Sequence, residues 1–229
     1  MLFRSAAMGL DYYFVQHFTS EFAKLSAADF IETYLVKGLG IKGLVVGKDF
    51  RFGAGGEGNW QTLQRAQGAN GFRTIIVDTL KKNGIDVSST HIRQLIEAGA
   101  VDKVPVFLGR PFSITGLVKK GDGRGKSLNF PTANIDFPSA IIRPKIGVYA
   151  GIANLEGCDY PVVANYGCRP TFKKKDFQLE VHLLDFEGNL YDKEMKVSLL
   201  KYLRRELCFS NSEELKKQIG CDVLKVQKL

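Results

Sequence analysis

Along the first hundred residues, apolar positions fall into short runs separated by stretches with helical character. Tyr12-Tyr13-Phe14-Val15 is aromatic and β-branched and predicts a buried strand. Ser26-Ala27-Ala28-Asp29 stands before Phe30, Ile31, Tyr34 and Leu35, an N-cap with an acidic first turn, and predicts a helix over 27–37 that Gly38-Leu39-Gly40 ends. Leu44-Val45-Val46 predicts a strand opening onto the polar loop 47–53. Residues 61–67 read as part of a helix and 72–77 as a strand, and Ser88-Ser89-Thr90 caps a helix carrying Ile92, Leu95 and Ile96 as far as Gly99. This alternation of β and α predicts a parallel sheet over residues 1–104. In such sheets ligands sit at the carboxyl ends of strands, which makes loop 47–53 a candidate half-site.

The pattern changes after a short helical connection over 101–108 and the break at Gly109-Arg110-Pro111. Short apolar runs at 114–118, 148–152, 161–165, 179–184 and 195–200 follow, separated by turn signals. That spacing predicts a compact antiparallel barrel. Ser210-Asn211-Ser212-Glu213 reads as a capping box for a closing helix with Leu215 and Ile219 on one face. The expected division is residues 1–108 and 109–229.

Composition narrows the classes. In 229 residues, 45% hydrophobic and 24% charged is ordinary for a globular protein, with room for one large or two small domains. The net charge of +8 suits polyanions, and equally an enzyme acting on phosphorylated small molecules. Cys158, Cys168, Cys208 and Cys221 have no CxxC spacing and no histidine cluster beside them, so neither a metal site nor redox chemistry is expected of them. The first ten residues contain no secretory apolar core, and no stretch is long and apolar enough for a membrane span, so a cytoplasmic protein is expected.

The most chemically informative stretch is 113–134. After a short strand, Gly121, Gly123 and Gly125 alternate with Lys119, Lys120, Arg124 and Lys126. Glycines let backbone N–H groups approach an anion closely and the cations add charge-assisted contacts, so the loop suits phosphates, although a plain solvated hairpin has the same composition. Pro131-Thr132-Ala133-Asn134 follows. In an extended segment Thr132 and Asn134 project to one side, offering hard oxygen donors suited to a Mg²⁺ shared with phosphates. Further on, Leu179, Val181 and Leu183 alternate onto one face, so Glu180 and His182 share the other. A glutamate there is either an outward surface charge or a group with a task.

The segment 116–134, with its Pro-Thr-Ala-Asn core, resembles the nucleotide loop of bacterial riboflavin kinases. The likeness continues through Gly147-Val148-Tyr149 and the segments 165–172, 180–186 and 204–209, and so covers the C-terminal half. It implies transfer of the ATP γ-phosphate to the riboflavin 5′-hydroxyl to give FMN. By this match Glu180 falls at the general base, Thr132 and Asn134 at Mg²⁺ ligands, and Gly121, Gly123, Arg124, Gly125, Lys126 and Thr132 at the ATP site. Arg204, Glu206 and Phe209 match the Arg-x-Glu-x-x-Phe segment near the flavin, although Phe209 would also serve as packing under the closing helix. Asn129 departs from the usual glycine and Cys208 from a common basic residue. For Arg169, a loop-fixing salt bridge and a substrate contact remain equal readings.

The N-terminal half resembles the later part of the nucleotidyltransferase domain that precedes riboflavin kinase in bifunctional bacterial FAD synthetases. The matching pieces are 46–53 and 88–93. That family opens on a Gly-Phe-Asp-Gly-Val-His-x-Gly-His loop whose histidines hold ATP phosphates. This chain has only His17, His91 and His182, none paired at that spacing. The expectation is therefore an N-terminally shortened member: an incomplete nucleotidyltransferase Rossmann-like α/β sheet, then an antiparallel β-barrel riboflavin kinase domain with a C-terminal helix. Its substrates would be riboflavin and ATP with Mg²⁺, with no nucleic-acid or membrane partner. FMN adenylyltransferase activity giving FAD is the first alternative, the chain being then a piece of a bifunctional enzyme. A non-catalytic flavin-binding or nucleic-acid-binding barrel is the alternative from another class; against the latter, aromatics do not interleave with Lys and Arg along one strand.

Overall fold

A computed structural model describes residues 8–120, 125, 130–136, 141–170 and 175–229. Backbone contacts divide the chain into two compact units, Met1–Leu80 and Lys81–Leu229.

In the first unit a short helix α1 (Ser20–Ala23) is capped by the Thr19 hydroxyl, which accepts from Phe22 N. Ser26 caps α2, whose first turn Ala27–Asp29 runs on as a π-wound segment, Phe30–Gly38. The strands β1 (Gly43–Gly47) and β2 (Arg73–Val77) pair in parallel, Gly43 opposite Arg73 and Gly47 opposite Val77. Between them α3 (Trp60–Asn70) starts at a capping box made by Asn59 and Thr62 and stops at Gly71, whose φ of 70° favours glycine. Ile31, Leu35, Val46, Phe52, Leu63 and Phe72 close this core. The parallel pairing and the α/β alternation therefore match the periodicity. The aromatic run at 12–15 does not become a strand: Tyr12 is 94% exposed and Phe14 64%. Among the described residues no β-strand forms over that run, and strand character without a neighbouring strand gains no ladder of hydrogen bonds however suitable its side chains.

The second unit opens on a hairpin of β3 (Lys81–Lys82) and β4 (Ile85–Asp86). Its turn is Asn83-Gly84, both with positive φ, the residue pair that a tight hairpin turn favours. Helices α4 (Ser89–Glu97), capped by Ser88, and α5 (Val104–Leu108) follow. Ile92, Leu95 and Ile96 of α4 pack on the barrel core, although the sequence pattern puts this helix with the parallel sheet. Amphipathic spacing shows that a helix has an apolar face; it does not say which core that face meets.

The barrel is closed and antiparallel, in the order β10-β5-β6-β9-β8-β7: β5 (Phe112–Lys119), β6 (Ala133–Ile135), β7 (Gly147–Leu155), β8 (Cys158–Pro170), β9 (Lys175–Leu183) and β10 (Glu194–Arg204). Its interior is filled by Ile114, Tyr149, Tyr166, Leu179, Val181, Met195 and Leu199, all fully buried. The closing helix α6 (Ser212–Val226) lies outside: Val223 and Val226 pack on Val148, Ala150 and Val163 of the barrel wall. Its N-cap is Asn211, one residue after the expected Ser210. The Asn211 side chain accepts from Glu214 N, and Glu214 in turn accepts from Ser210 N at 3.2 Å.

Candidate active site

The alternation of β9 places Leu179, Val181 and Leu183 inside the barrel and Glu180 and His182 outside. Register then aligns one polar row along the outer wall. Asn134 of β6 pairs with Glu180 of β9, and Glu180 pairs with Asn165 of β8. The same row continues through Val148 of β7 to Arg204 of β10. With neighbouring strands about 4.8 Å apart, Asn134, Glu180 and Asn165 are immediate neighbours on one face.

A cavity of about 380 Å³ lies over this row, a size suited to a small molecule. Gly125, Thr132, Asn134, Glu180, Arg204, Glu206 and Phe209, all expected at a site, line it together. Gly121, Gly123, Arg124 and Lys126, together with Asn129, fall outside the described residues. The lining combines polar groups, Thr132, Asn134, Glu180, Asn165 and Glu206, with apolar ones, Val148, Val163, Leu207, Phe209, Leu215 and Ile219.

Local contacts explain why these side chains stand where they do. Gly125 approaches so closely that a Cβ there would meet the Phe130 carbonyl and would lie 3.1 Å from Thr132 Oγ1. Phe130 N donates to the Gly125 carbonyl at 2.9 Å, which ties Gly125 to the segment that carries Thr132. Asn165 Nδ2 donates to Glu206 Oε1 at 3.2 Å, and the absence of a side chain at Gly167 makes room for that carboxylate. Asn134 Oδ1 is buried and has no hydrogen-bond partner among the described residues. An acceptor left in that condition is costly unless a ligand completes it.

Arg204 is not free to range over the cavity. Its Nε donates to Asp222 Oδ2 at 2.8 Å and an Nη lies 2.7 Å from the same oxygen. Asp222, on α6, is fully buried and also accepts from Gln218 Nε2 at 3.2 Å. The pair ties the closing helix to the barrel wall and holds the guanidinium in one orientation. Three site residues lay beyond sequence reasoning as functional groups: Asp222, which reads as one more charge on a polar helix, Asn165 as a partner of Glu206, and His182 as more than the neighbour of Glu180 on β9. Only the β-register brings the last two to the site.

Among the described residues no three His, Cys, Asp or Glu side chains cluster as a metal site, and the four cysteines are unpaired thiols. The oxygen donors at 132, 134 and 180 are of the kind that suits a hard divalent cation. The orphaned Asn134 carbonyl fits such an ion.

The C-terminal residues 108–229 match the riboflavin kinase family model, and residues 3–91 match the FAD synthetase model. The bifunctional riboflavin kinase/FMN adenylyltransferase of Escherichia coli K12 is 42% identical over 96% of this chain and 70% of its own length. The chain belongs to this bifunctional family. The Bacillus subtilis member is 35% identical over 94% of this chain and 68% of its length. A crystal structure of a macrolide-efflux protein from Streptococcus pneumoniae superimposes with a TM-score of 0.92 and 28% identity, covering 100% of this chain and 73% of that one. Both domain types of the family are thus present, and the riboflavin kinase domain is the part that carries the cavity. Among the described residues no helix is long and apolar enough to cross a membrane.

Proposed function

We propose that the barrel cavity transfers the γ-phosphate of ATP to the 5′-hydroxyl of riboflavin, giving FMN and ADP. The observation that carries this reading is the pairing of Asn134 with Glu180 across β6 and β9, which sets a carboxylate beside a neutral oxygen donor in a cavity that Thr132 also lines and whose lining is part polar and part apolar. Riboflavin has both characters: a flat tricycle suited to the apolar side chains of Phe209, Leu215 and Ile219, and a polyol chain suited to Asn165 and Glu206.

In this reaction the Glu180 carboxylate accepts the hydroxyl proton as O5′ bonds to the γ-phosphorus and the bond to the β–γ bridging oxygen breaks. Thr132 and Asn134 would hold Mg²⁺, which supplies charge neutralisation on the phosphate oxygens when bound. Gly125 admits the nucleotide backbone side closely, with Gly121, Gly123, Arg124 and Lys126 completing the phosphate loop. Arg204, oriented by Asp222, and Glu206, oriented by Asn165, fix the flavin, and Phe209 packs against its ring plane. Residues 109–229 form the kinase domain, and the protein acts in the cytoplasm on small molecules rather than on nucleic acid or membranes.

Chromatographic analysis of products after incubation with riboflavin, ATP and Mg²⁺ tests the proposal: FMN and ADP in equal amounts are expected, and riboflavin left unchanged would refute it. The FAD synthetase match over 3–91 favours a second reading, adenylyl transfer from ATP to FMN. FAD formed from FMN and ATP would establish it.

A further inference from the structure

We propose that His182 is a positioning residue for the nucleotide half of the cavity, acting through the peptide that carries Thr132. This inference rests on the kinase reading above. His182 stands two residues from Glu180 on β9, on the same outer face, and lines the cavity. Its Nδ1 lies 2.8 Å from the carbonyl oxygen of Pro131. A carbonyl oxygen only accepts, so Nδ1 carries the hydrogen. That oxygen belongs to the Pro131–Thr132 peptide, and a peptide unit is planar, so anchoring its oxygen also fixes where the Thr132 backbone begins. The Phe130 ring stands perpendicular to the imidazole at a centroid distance of 5.3 Å, a second restraint on the same turn.

The geometry has a functional consequence. Register places Asn134 beside Glu180 and Ala133 beside Val181, and continuing it by one residue brings Thr132 level with His182. One strand therefore holds both halves of the site: Glu180 beside Asn134, and His182 beside the turn that presents Thr132. The short β6 spans Ala133–Ile135, and its register with β9 begins at Ala133, so Thr132 lies one position before the paired segment. The imidazole supplies a cross-strand tie at that position.

The test uses the full-length chain and two variants. His182→Leu keeps apolar bulk and removes the donor; His182→Asn keeps an N–H near the Nδ1 position. MgADP binding is measured by titration calorimetry, and riboflavin binding without nucleotide by flavin fluorescence. A single neutral hydrogen bond predicts that His182→Leu weakens MgADP binding about three- to ten-fold, while His182→Asn stays within about two-fold of the parent. Riboflavin affinity should be unmoved in both. Parent-like MgADP affinity in His182→Leu, or equal losses in both variants, would overturn the inference. A parent chain that phosphorylates riboflavin alongside an unaffected His182→Leu variant refutes this inference alone, whereas a parent that makes no FMN refutes the kinase reading.

Discussion

Asp222→Ala should be among the most damaging single changes in the second unit. The carboxylate is fully buried, while the Arg204 side chain it holds is 16% exposed, so truncation strands a guanidinium that had two contacts of 2.8 and 2.7 Å. Removing one partner of such a pair costs about 3–5 kcal/mol, because the remaining charge stays desolvated. At about 2–4 °C per kcal/mol for a unit of this size, the midpoint of thermal unfolding should fall by at least about 6 °C. Circular dichroism on the parent and variant reads this directly. A companion variant separates burial from attraction: Asp222→Leu with Arg204→Met replaces the pair by apolar groups and should recover most of the loss. A drop of less than about 2 °C in Asp222→Ala would show that water reaches the guanidinium freely and that the clamp described above is not closed.

Two further outcomes follow from other parts of the barrel. Burial pushes the Tyr166 hydroxyl up to about 12, so the folded state holds that proton more tightly than the unfolded chain does. Its contribution to stability is then complete below pH 10 and is lost as pH rises from there through 12; denaturant titrations across that window should show the slope, and Tyr166→Phe should flatten it. Burial raises Tyr149 in the same direction, so a residual slope is expected in that variant. Phe209→Ala should weaken riboflavin binding far more than it lowers the unfolding midpoint, as fluorescence titration and thermal melts would show; comparable losses in both would assign Phe209 to packing under α6.

How much of this was legible depends on whether a feature is local. The period-two pattern of β9 places Leu179, Val181 and Leu183 inside the barrel and Glu180 outside it. Helix caps are equally local: Ser26, Ser88 and the turn before α6 were readable within one residue. The aromatic run at 12–15 misleads because strand character belongs to a pair, and composition does not reveal whether a partner exists. Asp222 illustrates the opposite failure. In the sequence it sits among polar residues of a helix, and nothing marks it as buried, since the arginine that makes its burial tolerable lies on another element 18 positions away. The row Asn134, Glu180, Asn165 likewise exists only through the register of three strands, which the resemblance anticipates in part by naming two of its members.

The claim on which everything else depends is that the Glu180 carboxylate takes the proton from the flavin hydroxyl. Glu180→Gln preserves size and hydrogen bonding while removing the capacity to accept that proton. The rate of FMN formation at saturating riboflavin and MgATP should therefore fall about 10²–10⁴-fold, with both substrates still bound. Turnover equal to that of the parent would contradict the account and leave the cavity a flavin site without this base.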